Sequence, residues 1–147
     1  MDEPKVYFLY LNSTIKHKTI KMKPQITLTI ISAFCLLQAF LFIFFAGNLM
    51  DSLINSSSLE TLKIAELMHN GFAPAFIMIG LIFFLNRNET NEVAKKLLLA
   101  YIIGAICLFI IFFGCFTNVS LINFSPTHLI PDFAIFLLAL LTYFRIK

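Results

Sequence analysis

Residues 25–47 read QITLTIISAFCLLQAFLFIFFAG. No charged side chain interrupts these 23 positions, and about 20 apolar residues in a helix suffice to cross the hydrocarbon core of a bilayer. The stretch is too long for the apolar part of a secretory leader, and no small-x-small cleavage pattern follows it. It therefore reads as a retained span. Gly47, Asn48 and Asp51 mark its far end.

Working outward, three further apolar runs at residues 67–85, 97–116 and 126–144 read as spans. The segment between the first two is mixed. Ser57 and Glu60 fit a capping box, and Leu59, Leu62, Ile64, Leu67 and Met68 follow at weakly helical spacing. This predicts a short helix on the membrane surface or one running straight into the second span. Asn70-Gly71 reads as a cap or turn, with Pro74 near a helix start where proline is tolerated. A polar connection over residues 86–96 leads to the third span. Tyr101 and Tyr143 are expected as interfacial aromatics near the ends of theirs. The fourth span needs the most argument, because Asp132 and Arg145 enclose only twelve residues. The crossing works if Ser125 is the N-cap and Pro126 the first helical residue. His128 and Asp132 then fall inside the span, and Pro131 frees the carbonyl of Thr127.

Composition agrees. Apolar residues make up 59% of the 147 and charged residues 13%, about half the charged share of soluble domains. A soluble enzyme, a disordered tail and a nucleic-acid-binding module are excluded. Of the 11 basic residues, all but Lys63 fall on one side of a four-span layout, so the positive-inside rule places both termini in the cytoplasm. The expected fold is all-α, a polytopic membrane four-helix bundle. Residues 22–147 form the membrane domain and residues 1–21 a cytoplasmic segment. Met22-Lys23-Pro24-Gln25 would be an ordinary start, which would put residues 1–21 upstream of it. Alternatively Val6 to Leu11 is a short interfacial segment.

Ionisable groups inside a membrane are costly, so each is a candidate functional residue. Glu66 and His69 stand three apart, and His128 and Asp132 four apart, near the same outer boundary. On α-helices both spacings put the partners on one face. If the second and fourth spans are neighbours, these four side chains converge with Asn70 and the freed Thr127 carbonyl. Three readings compete: local hydrogen-bonded couples at the lipid–water boundary, a polar pocket for a small ligand or lipid headgroup, and a divalent metal site. A haem on His69 and His128 is a fourth. No cofactor is expected. Gln38, inside the first span, is expected to hydrogen-bond between helices. Ala100 and Gly104 form a small-xxx-small pair that would let another helix approach.

Absences narrow the chemistry. Cys35, Cys107 and Cys115 lie in apolar runs without a CxxC, which argues against a disulfide framework or zinc knuckle. No HExxH, GxSxG or P-loop occurs, and no catalytic residue is assigned.

The basic start before the first span, the long outer loop, the run to Leu85, the connector Asn86-Arg87-Asn88-Glu89 and the opening Ala94-Lys95-Lys96-Leu97 resemble the DoxX-like group of small four-helix bacterial membrane proteins. The resemblance covers residues 22–147 and rests on architecture and loop lengths. It implies a multi-pass protein of the bacterial inner membrane and carries over no functional residue. The function expected is that of a non-enzymatic accessory, assembly or interaction protein, with the lipid bilayer and a second copy or another membrane protein as partners. The alternative is a protein that binds or transports a small ligand, lipid or metal through the outer polar cluster.

Overall fold

A computed structural model describes residues 23–123 and 125–146. The expectations for residues 1–21 and for a start at Met22 lie outside them. Among the described residues the architecture is all-helical, with four helical segments long and apolar enough to cross a membrane.

The first helix, α1, spans Pro24–Phe44. Proline in its first turn costs no helical hydrogen bond, and its ring presets φ for a helix. Twenty-one residues reach about 31 Å at 1.5 Å each. The run expected to continue to Gly47 breaks at Phe45, whose φ of −126° and ψ of 14° leave the helical region. A second helix, α2, follows at Ala46–Leu53. The break lets α2 bury Ala46 and Met50 while it packs on the next helix.

Helix α3 covers Leu59–Leu85 without interruption, so the expected surface helix and second span are one element. Its N-cap is Ser58, not Ser57: the Ser58 hydroxyl accepts from the N–H of Thr61 at 3.4 Å. Adjacent serines offer the same cap chemistry, and here Ser56 is spent accepting from the N–H of Ser58. Asn70-Gly71 does not end the helix, and Pro74 lies in its interior. Proline has no N–H, so the helical bond to the carbonyl of Asn70 is missing.

Helix α4 spans Asn91–Gly114, beginning six residues before the expected span. Thr90 caps it by accepting from the N–H of Val93. A 3₁₀ turn at Phe116–Asn118 closes it. A second 3₁₀ turn, Pro126–Leu129, leads into α5, Ile130–Arg145. Ser125 precedes that turn as expected, but its hydroxyl pairs with that of Thr127 at 2.7 Å rather than capping a backbone N–H.

Helix α1 is the hub. It packs chiefly on α3 and also touches α4 and α5, which pair with each other. A core of Leu28, Ile31, Cys35, Phe83, Leu98, Ile102 and Ala139 fills the junction. Among the described residues, three side-chain hydrogen bonds join α1 to other helices. The hydroxyls of Thr27 and Thr142 meet at 2.8 Å. Ser32 Oγ donates to the carbonyl of Gly80 at 2.8 Å. Gln38 Nε2 donates to Asp132 Oδ1 at 3.3 Å. The loops at the far end are tied as well: Asn55 N–H donates to Leu121 O at 2.7 Å, and Asn123 N–H to Leu53 O at 2.8 Å.

The closest approach is at Gly80. A β-carbon there would stand 2.8 Å from Leu36 Cγ and 3.2 Å from the Ser32 carbonyl. One heptad along, Ala39 and Ala73 are also buried. Small residues spaced by seven thus line both sides of the α1–α3 seam. Gly80→Val is therefore expected to lower stability by about 1–3 kcal/mol through overpacking. Nothing lies within 4 Å of a β-carbon on Gly104, so Gly104→Val should change the stability of a single copy by less than about 0.5 kcal/mol. Reversible unfolding in mixed micelles measures both.

Candidate functional site

The polar residues expected to converge address α1 from two sides. On α3, the His69 ring packs edge-on against Phe42 of α1, with centroids 4.6 Å apart. Phe42 in turn meets Phe76 edge-on at 5.3 Å. Glu66, one turn earlier, has its carboxylate 3.9 Å from where a β-carbon on Gly47 would lie. Asn70 Oδ1 is buried without a hydrogen-bond partner, and the Asn70 carbonyl lacks its helical donor because of Pro74. Asn70 therefore has a buried side-chain oxygen without a partner and a carbonyl that lacks its i+4 donor.

On the other side, Asp132 binds Gln38, and His128 is exposed. The expected His128–Asp132 couple does not form. His128 belongs to the 3₁₀ turn and Asp132 to α5. At three residues per turn before the junction and 3.6 after it, a four-residue spacing no longer aligns two side chains on one face. The Thr127 carbonyl is not free either, since the N–H of Ile130 donates to it. Among the described residues no direct bond joins Glu66 or His69 to His128 or Asp132. Nor, among the described residues, is any group of three or more His, Cys, Asp or Glu side chains placed to hold a metal ion.

The structure assembles a different polar group. Cys35 is buried on α1 one turn before Gln38, and Tyr101 reaches in from α4, edge-on to Phe83 at 5.9 Å. Cys35, Tyr101 and Asp132 lie within electrostatic reach of one another. Tyr101 is half-buried and packs against the core, ten residues into α4. Tyr143 keeps its expected place near a helix end, with the Lys95 ammonium 5.4 Å above its ring. The sequence signal for this group was Gln38, an amide inside an apolar run with Cys35 three residues before it. Nothing in the local pattern pointed to Tyr101.

Helix α4 turns a second small-residue face outward. Ala100 and Gly104 are both exposed, as are Cys107 and Gly114. The expected packing pair is therefore not used within the described bundle as a close approach: nothing lies within 4 Å of a β-carbon on Gly104, and Ala100 is exposed.

The arrangement around Asp132 can hold two helices together and present a hydrogen-bonded carboxylate within the apolar layer. Gln38→Leu leaves that carboxylate without its amide donor and is expected to cost about 1–3 kcal/mol. Replacing both partners with leucine should recover most of the loss, because an apolar pair of similar shape is nearly neutral. A double-mutant cycle on unfolding free energy checks this, and simple addition of the two single effects would show the pair to be uncoupled.

Comparison with family models, curated proteins and solved structures finds no match for this chain.

Proposed function

We propose that this chain is a non-enzymatic accessory, assembly or interaction protein, a multi-pass resident of a bacterial inner membrane with both termini in the cytoplasm. The bias of basic residues toward one end supports the orientation. The layout of spans and loops that resembles DoxX-like proteins supports the setting.

The observation that carries the function is the outward face of α4. In lipid no hydrophobic force drives helices together, so close backbone approach at small residues is a principal source of association. The α1–α3 seam already uses this device, with Ser32, Ala39, Ala73 and Gly80 buried along it. Ala100, Gly104, Cys107 and Gly114 repeat the device on α4, where no described residue covers it. The partner is a second copy or another membrane protein.

A second reading, a protein that binds or transports a small ligand or lipid, is favoured by the buried, unpartnered Oδ1 of Asn70, next to His69 and four residues after Glu66. A metal or haem shared by His69 and His128 draws less support, since the two imidazoles do not gather on one site.

Cys107 offers the test. It is exposed on the α4 face, whereas Cys35 is buried, so a Cys115→Ser variant leaves one accessible thiol. Oxidation or bismaleimide treatment in native membranes is expected to give a cross-linked species through Cys107, and Gly104→Leu should remove it while the monomer still folds. Recovery of monomer alone would exclude an α4-mediated partner.

A further inference from the structure

At the end of the molecule where α1 begins and α3 ends, a groove of about 230 Å³ opens sideways. It is lined by Gln25, Ile26, Thr29 and Ile30 of α1 and by Arg87 and Asn88 of the α3–α4 connection. Arg87 is held in place without being neutralised. One of its Nη atoms donates to the Phe84 carbonyl at 2.8 Å, and the guanidinium sits 3.7 Å over the Phe84 ring. A guanidinium carries five N–H donors, so most stay available. The ion pair found among the described residues joins Lys96 to Glu92 and leaves Arg87 without a carboxylate. A cation already fixed by its own backbone loses little freedom when it binds an anion.

The surroundings select for negative charge. Among the described residues no acidic side chain lines the groove. The first turn of α1, which forms one wall, has no side-chain cap and no acidic residue, whereas α3 and α4 each have both. Its positive end therefore adds to the field of Arg87. The groove also has an apolar track. Ile26 and Ile30 stand one turn apart, 49% and 37% exposed, and lead from the polar end along the outside of α1. A free anion would use the polar part alone. A phospholipid would use both parts, and one with an ammonium headgroup would find no carboxylate in the groove for it.

We propose that this groove is a headgroup site for an anionic phospholipid, with the phosphodiester on Arg87 and Asn88 and an acyl chain along Ile26 and Ile30. The site is independent of the α4 face.

The chain contains no tryptophan, so one introduced at the exposed Ala33, a turn beyond Ile30, becomes a sole reporter. The full-length Ala33→Trp protein is reconstituted in phosphatidylcholine vesicles containing acyl-brominated phosphatidylglycerol or acyl-brominated phosphatidylcholine. Brominated phosphatidylglycerol is expected to quench roughly threefold more effectively per mole. Adding Arg87→Gln should abolish the preference, whereas Arg145→Gln, which removes a charge outside the groove, should leave it. Should Arg87→Gln fail to fold, Asn88→Leu carries the same expectation. Equal quenching by the two lipids, or a preference that survives both groove variants, overturns the proposal. Relief of quenching by millimolar inorganic phosphate would reassign the polar part to a free anion. Absence of quenching by either lipid would mean that something else occupies the track.

Discussion

The Ser32 hydroxyl donates to the carbonyl of Gly80 at 2.8 Å, and that contact requires α1 and α3 to run almost backbone to backbone. Lipid tails are as apolar as leucine, so burial alone would not hold two such helices together. What remains is contact distance and interhelical hydrogen bonding, and glycine supplies the first. A side chain at Gly80 would collide with Leu36 and with the Ser32 backbone. Once the seam closes, Phe42 reaches His69 and Phe76, and the break at Phe45 lets α2 fold against α3.

The other polar side chains of α1 extend the same logic to α5. Thr27 meets Thr142 near one end, and Gln38 meets Asp132 toward the other. Each group is costly if left unpaired in hydrocarbon, so each pairing fixes the rotation of one helix about its axis. The core between these ties holds Leu28, Ile31, Cys35, Leu98, Ile102 and Ala139. These apolar side chains fill space, but their interchangeable chemistry would not by itself choose a rotation. The helix faces that take no part in these contacts, above all that of α4 with Ala100 and Gly104, are exposed on the outside of the bundle.

Much of the helix layout was legible in the chain. The four apolar runs, the helical start at Pro126 before the last span and the interhelical bond of Gln38 follow from length, helix-start chemistry and the cost of an amide in hydrocarbon. The errors were of register. Asn70-Gly71 and Pro74 look like punctuation in a water-soluble sequence, yet the helix runs through them. In a bilayer no water stands ready to take the released backbone groups. The cap moved from Ser57 to Ser58 because neighbouring serines carry the same signal. The site was less legible. Glu66, His69, His128 and Asp132 were correctly seen as unusual, but their grouping assumed that the second and fourth spans meet and that residues 126–132 are uniformly α-helical.

The amino-acid sequence by itself determined that the chain is helical, that its helices suit a bilayer and roughly where each begins. Those properties depend on the number and spacing of apolar residues along a single element. Only the tertiary structure decided that α1 is the hub, that Asp132 pairs with Gln38 instead of His128, and that Tyr101 packs on Phe83. Each of these depends on the rotation of one helix against another, and that is set by contacts between residues as far apart as Ser32 and Gly80 or Thr27 and Thr142. A one-dimensional pattern of apolar residues is nearly the same for every rotation of an all-round hydrophobic helix, so it holds no record of which face turns inward.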